Sequence, residues 1–251
     1  MKILIVHRDK TFDESSIKKE FPKLTITKIW KNIVSKNHLK EVDFVIAIGG
    51  DGTFLSASHY VENTPILGVN SDVNRSEGAL TTIDLSQLNN KIKQIIENKV
   101  KIKEYTREKI IIHQKTRKIE TEDALNETFF GNINPHHTTN YEISYNHKKE
   151  NQRSSGLVVS TGTGSTAWYH TAGGFPFNRE KKQLRFRIRE LYKGKLHKPT
   201  VRKGKIKQNE KLTIISKMNH AMIAIDSIRT YAISKHDKIE ISIGKPLRVL
   251  Q

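Results

Sequence analysis

The sequence predicts an α/β N-terminal domain with a doubly wound parallel sheet, followed by a mainly antiparallel β C-terminal domain. Three observations predict it. Over the first hundred residues, short apolar runs alternate with amphipathic helical patterns, the signature of strand–helix–strand units. One of those runs ends in Gly49-Gly50-Asp51-Gly52-Thr53 and turns directly into a helical pattern. After about Val100 the texture changes to strand-like segments separated by polar turns, with few helical patterns between them. The expected domains are 1–102 and 103–251, with the last strand free to return to the first domain.

In chain order, Met1–His7 reads as a strand, Ser15–Phe21 as a short helix and Leu24–Trp30 as a second strand. Phe44–Ile48 is apolar throughout and reads as a buried strand, and the pattern from Phe54-Leu55 to Tyr60-Val61 as a helix. Pro65–Asn70 is the next strand. Asp84 caps a helix whose Leu85, Leu88, Ile92 and Ile95 share one face. In the second domain Lys109–His113, Tyr141–Tyr145, Leu157–Ser160, Leu184–Ile188, Leu212–Ile215, Met222–Ile225 and Lys238–Ile243 are strand-like. The strict alternation from Leu184 to Arg189 puts three arginines on one face, read as a solvated face. There is no internal repeat and no long low-complexity linker.

Composition narrows the class. The 251 residues hold one large domain or two small ones, and no apolar run approaches the length that spans a bilayer. The opening Met1–His7 run is too short for a secretory core and lacks a transit-peptide composition, so a cytoplasmic protein without a membrane partner is expected. With no cysteine, disulfides, thiolate nucleophiles and cysteine metal sites are excluded. The formal charge of +18 invites a nucleic-acid reading. The excess is mostly dispersed lysine, and no nucleic-acid module is recognisable, so a dedicated nucleic-acid partner is not expected.

The glycine loop carries the chemistry. Glycines admit close approach of a ligand to the backbone, and the following helix N-terminus favours phosphate oxygens. A lone carboxylate there repels anions, so it makes sense as a handler of a proton or a metal beside held phosphates. Phosphoryl transfer is the reaction class implied; the loop is neither a Walker A nor a spaced-glycine dinucleotide motif. In a doubly wound sheet ligands sit beyond the carboxyl ends of strands, where Asp51 and Asn70 fall. A second small-residue segment runs from Ser154-Ser155-Gly156 through Thr161-Gly162-Thr163-Gly164-Ser165-Thr166-Ala167-Trp168. Its hydroxyls and amides suit sugars and phosphates, and Trp168 suits a base. The adjacent Asn126-Glu127 pair can grip two sugar hydroxyls, although a surface pair is the plainer reading of it alone. His136 and His137 are adjacent without a spaced partner and read as loop residues; no protein metal site is expected.

In this order and spacing, Gly49-Gly50-Asp51-Gly52-Thr53, Leu125-Asn126-Glu127 and Gly164-Ser165-Thr166-Ala167 resemble the NAD kinase family. The mitochondrial type is most similar, through Gly68-Val69-Asn70-Ser71-Asp72 with Arg75-Ser76-Glu77-Gly78, through Ser154–Gly164, and through Phe186–Glu190. The resemblance implies transfer of the terminal phosphoryl group of ATP to the 2′-hydroxyl of the adenosine ribose of NAD. It implies Asp51 as the catalytic residue, and Gly49, Gly50, Gly52 and Thr53 as the phosphate-donor cradle with Mg²⁺ accompanying ATP. It implies NAD binding by Asn70, Asn126, Glu127, Thr166, Ala167, Trp168, Thr171 and Asp226, and a homodimer or higher homo-oligomer. Ser155, Gly162, Trp168 and Ser227 depart from the common bacterial pattern. The readings that compete are a lipid or sphingoid-base kinase sharing the first loop, and a catalytically silent nucleotide- or nucleic-acid-binding relative.

Overall fold

The computed structural model describes residues 1–8, 12–75, 77–196 and 198–251; Ser76, inside the Arg75–Gly78 motif, lies outside the described residues. The chain divides into one unit made of Met1–Glu104 with Leu247–Gln251 and a second made of Tyr105–Pro246.

The first unit contains β1 (Lys2–His7), α1 (Ser15–Glu20), β2 (Thr25–Trp30), β3 (Phe44–Gly49), α2 (Asp51–Ser58), β4 (Ile66–Asn70), β5 (Ile83–Asp84), α3 (Leu88–Ile96) and β6 (Ile102–Tyr105). The sheet runs β2-β1-β3-β4, continues through the C-terminal strand Leu247–Leu250 to β6, and carries β5 beside β4. β1 pairs in parallel with β2 and β3, and β4 with β3 and β5. β3 is buried at every position, as its uninterrupted apolar run demands. Ile5, Ile46, Ile48, Leu67 and Val69 meet Ile17 of α1 and Leu88, Ile92 and Ile95 of α3 in one core.

Two helices differ from the sequence reading. α2 starts three residues earlier than its apolar pattern, because Gly50 is extended and takes the cap position, leaving Asp51 as the first helical residue. Asp84 caps through a full capping box with Gln87, but the turn it caps is a short 3₁₀ segment, Leu85–Gln87. That tighter turn swings Leu85 off the buried face, leaving it 40% exposed.

The second unit holds β7 (Glu108–His113), β8 (Lys118–Glu120), β9 (Glu127–Asn132), β10 (Thr139–Tyr145), β11 (Lys148–Ser154), β12 (Leu157–Ser160), α4 (Trp168–Thr171), β13 (Leu184–Ile188), β14 (Lys203–Ile206), β15 (Lys211–Ser216), β16 (Ala221–Ile225), β17 (Arg229–Ile233) and β18 (Lys238–Ile243). They form two six-stranded sheets, β11-β10-β15-β18-β7-β8 and β14-β13-β12-β9-β16-β17, with antiparallel pairing. Inward positions of both sheets interdigitate: Ile112, Tyr141, Ile214 and Ile239 from one meet Phe130, Val159, Phe186 and Ile223 from the other. The last strand, β19 (Leu247–Leu250), pairs in parallel with β4 of the first unit.

Candidate active site

In the first unit the site is built at the carboxyl end of β3. Thr53 and Phe54 turn their backbone N–H groups back to the Gly50 carbonyl, at 2.9 and 3.4 Å, which starts α2 immediately after the strand. The glycines do different work. A side-chain carbon on Gly49 would collide with the Thr53 hydroxyl, so Gly49 is there for close packing. One on Gly52 would meet nothing within 4 Å, so Gly52 leaves bare backbone on the open side of the helix N-terminus. Thr53 is buried and its hydroxyl has no hydrogen-bond partner among the described residues.

The Asp51 carboxylate accepts the backbone N–H of Leu80 at 2.8 Å and of Ala79 at 3.2 Å. It therefore fastens the turn that follows β4, twenty-eight residues on. Two lone-pair sites of the carboxylate are used and two remain. Gly78 precedes this turn at φ +67°, a conformation that favours glycine, and a side chain there would press on Asn70. Asn70 ends β4 buried, with its Oδ1 accepting the Asp72 N–H at 3.0 Å.

In the second unit one carboxylate organises the other motifs. Asp226 is buried, and it accepts backbone N–H groups from Leu125 (2.8 Å), Asn126 (2.7 Å) and Glu127 (3.1 Å). Asp226 and Ser227 both have positive φ, 50° and 55°, which turns the chain after β16 so the carboxylate faces the start of β9. The side chain is thus spent on positioning the Asn126-Glu127 pair. The Thr161 hydroxyl donates to the Leu125 carbonyl, and Ser160 to that of Asn126 at 3.3 Å. A side chain on Gly164 would collide with the Asn126 backbone, so the small-residue loop lies directly on the pair. Gly162 is closed in the same way by the Asn178 carbonyl, which accounts for a glycine at that position.

Glu127 is buried, with Oε2 unpartnered among the described residues; burial first, then the charge of Asp226, push its carboxyl up to about 7. Glu108, bridged in antiparallel fashion to Ala124, is fully buried, and burial raises its carboxyl well above the ordinary range. Asn126 is half-buried, and Thr166, Ala167 and Thr171 are exposed. Trp168 is half-buried, stacked on Phe129 at 4.7 Å, with the Arg189 guanidinium 5.5 Å from its ring centre. The arginine alternation is accordingly not a plain solvated face. Arg185 lies 4.3 Å over Phe177, and all three arginines are half-buried, because planar guanidinium groups pack on aromatic rings. His136 and His137 are exposed neighbours.

Sequence reasoning missed the partners of the two aspartates. Ala79-Leu80 are reached by Asp51 through backbone groups, and backbone donors leave no mark in a sequence. Asp226 lies about a hundred residues from the amides it holds. Glu108 had one available signal, its place two residues before Ile110 and four before Ile112, on the buried face of the same strand.

Residues 3–100 match the family model described as the ATP-NAD kinase N-terminal domain. The chain is 28% identical over 244 residues to an NADH kinase of Arabidopsis thaliana, covering 87% of this chain and 76% of that one. It is 32% identical over 144 residues to an NAD kinase of Campylobacter lari, covering 56% and 50%. Its fold is that of an NAD kinase from Archaeoglobus fulgidus solved in complex with ATP: TM-score 0.79, 19% identity, 100% of this chain and 94% of that one. Yeast NADH kinase complexed with NADH is similar at TM-score 0.80 and 16% identity, over 100% of this chain and 83% of that one. The proteins with which this chain aligns are thus NAD and NADH kinases, and the likeness to the family model lies in residues 3–100.

Proposed function

We infer that this protein is an NAD kinase, moving the terminal phosphoryl group of ATP to the 2′-hydroxyl of the adenosine ribose of NAD to give NADP. The observation that carries this reading is the Asp226 clamp. It fixes Asn126 and Glu127 at the edge of the Gly164–Trp168 loop, where an amide and a carboxylate can hold two sugar hydroxyls beside hydroxyl and aromatic side chains. The NADH-kinase relatives motivate the finer placement with the mitochondrial type. Whether NAD or NADH is the better acceptor follows from comparing the two in one assay.

In this reading the backbone at Gly50 and Gly52 cradles the donor phosphates and Asp51 takes the proton of the attacking hydroxyl. Little covalent work falls to the protein; positioning and charge neutralisation dominate. Mg²⁺ enters with the donor. Among the described residues no group of three His, Asp or Glu side chains is placed to hold a metal, and Mg²⁺ characteristically uses one or two carboxylates plus substrate phosphates. A cytoplasmic homodimer or higher oligomer completes the proposal; no described helix is long and apolar enough to cross a membrane.

Incubation with NAD, ATP and Mg²⁺, followed by an NADP-specific dehydrogenase, tests the activity. Asp51→Asn tests the mechanism. Turnover should fall by ~100- to 10,000-fold, the usual range for a general base. The melting temperature should fall too, since an amide accepts only one of the two N–H groups with the same geometry. Turnover near wild type at saturating substrates would remove Asp51 from the mechanism.

A further inference from the structure

The second unit contains a cavity of about 760 Å³ that none of the residues assigned above to ATP or NAD lines. Its floor is made by β13 and β14, whose register sets Arg185 opposite Lys205 and Arg187 opposite Lys203. Directly opposed like charges destabilise a sheet. Among the described residues no carboxylate forms an ion pair with any of these four. Lys207 and Lys211 add to the wall, and the single lining carboxylate, Glu210, accepts the backbone N–H of Lys207 at 2.8 Å. The Arg185 Nε is buried and has no partner among the described residues. At the rim Phe175 is 76% exposed, a large aromatic surface left in water beside the cations. The Tyr145 hydroxyl both donates to the Lys205 carbonyl (2.9 Å) and accepts its N–H (3.0 Å), so the ladder is held in register.

Arg185 donates to the Phe175 carbonyl at 3.3 Å and lies over the Phe177 ring, but neither contact neutralises charge, and four cations without a carboxylate partner in two opposed rows call for an anion with several charged oxygens. We propose that this cavity is an oligophosphate-binding site of the second domain, distinct from the glycine loop and from the Asn126-Glu127 site. The volume suits a small ligand, and arginine and lysine together supply bidentate and point-charge donors to phosphate oxygens. Inorganic oligophosphate and the phosphate chain of a nucleotide share that chemistry; Phe175 offers a stacking face to the second only. Tyr169 borders the cavity one residue beyond Trp168, so the occupant touches α4.

The test uses the whole protein and the double variant Lys203→Gln/Lys205→Gln, both exposed side chains outside the reaction machinery. Calorimetric titration with inorganic tripolyphosphate and, separately, with ATP should show in the wild type one binding event that the variant weakens by about tenfold or more, as expected for lost charge-assisted bonds. Turnover and KM for ATP and NAD should stay unchanged. The variant should melt higher than the wild type, because the opposed charges are gone. Phe175→Ala should weaken that event for ATP alone if nucleotides are the source, and for neither probe if free oligophosphate is. Several results overturn the proposal: no event that depends on Lys203 and Lys205; displacement of both probes by lower concentrations of single-stranded nucleic acid; or loss of self-association in the variant with phosphate binding unchanged, which would make the face a contact between copies.

Discussion

Glu127 is a carboxyl that folding removes from water without supplying a full set of donors, and its acidity follows from that. Below pH about 4.5 the folded and unfolded chains both hold its proton. Between there and about 7 the unfolded chain has released it while the folded one retains it, so stability falls as pH rises across this window. The penalty is complete above 7, of the order of 3 kcal/mol. Glu127→Gln should therefore raise the melting temperature at pH 8 and change it little at pH 4. Catalysis runs the other way: the ionised carboxylate is the better acceptor for sugar hydroxyls, so kcat/KM for NAD should fall as pH drops through about 7, and that limb should vanish in Glu127→Gln. A retained limb would assign the titration to another group. Asp226→Asn addresses the support beneath. An amide puts an NH₂ against at least one of three backbone N–H groups, costing roughly 1–3 kcal/mol. KM for NAD should rise while KM for ATP holds; equal effects on both would show that the clamp has no special tie to the acceptor.

The junction of β3 and α2 separates packing from function, because its glycines answer to different neighbours. At Gly52 a methyl meets open space and removes the entropic cost of glycine in a helix, so Gly52→Ala should stabilise by roughly 0.5–1 kcal/mol. If the bare backbone there faces donor phosphates, the same change should raise KM for ATP. Higher stability with unaltered ATP kinetics would take Gly52 out of the cradle. Gly49→Ala should destabilise, by roughly 1–3 kcal/mol of overpacking against Thr53. The distinction is invisible in the sequence, where the glycines look alike. Elements whose burial is one-sided or complete were legible: β1, β3, β4 and α3 carry their environments in their apolar spacing. β9 was not, because Glu127-Thr128-Phe129-Phe130-Gly131 is buried on both faces with polar residues inside, which neither period describes. β11 reads as a charged loop, Lys148–Arg153, yet is an edge strand paired along its length with β10. The turn between them, Asn146-His147, has positive φ at both residues, and the asparagine was its one signal. Edge strands β8 and β14 were hidden for the same reason, since short lysine-bearing edges protect against pairing and look like coil. At the site, the side chains that face ligands were legible by type and spacing, whereas the backbone groups that hold them were not.

Over the whole molecule the formal charge of +18 sets attraction within ion pairs against repulsion among the excess cations. Among the described residues most of the cationic partners in ion pairs are exposed side chains. Glu240 gathers Lys211 at 2.7 Å, Lys238 at 3.2 Å and His113 at 3.1 Å, and is held down to about 2, chiefly by Lys211. Glu14 is likewise held to about 2, chiefly by Lys28 at 2.6 Å. Exposed pairs of this kind contribute ~0–1 kcal/mol each, and salt weakens them. Repulsion among eighteen unmatched charges destabilises the compact state through every near neighbour, and salt weakens that too. Because exposed pairs contribute little each while the net excess of eighteen cations acts over the whole surface, the second effect should win. The melting temperature at pH 7 should rise as ionic strength increases from ~0.01 M to ~0.15 M, over which the screening length shortens from about 30 to about 8 Å. Sodium chloride is the salt to use, since phosphate and sulfate would report binding as well as screening. A melting temperature that falls with sodium chloride would mean that the ion-pair hubs at Glu240 and Glu14 outweigh the net charge. In that case Lys211→Gln should cost more stability at low salt than at high.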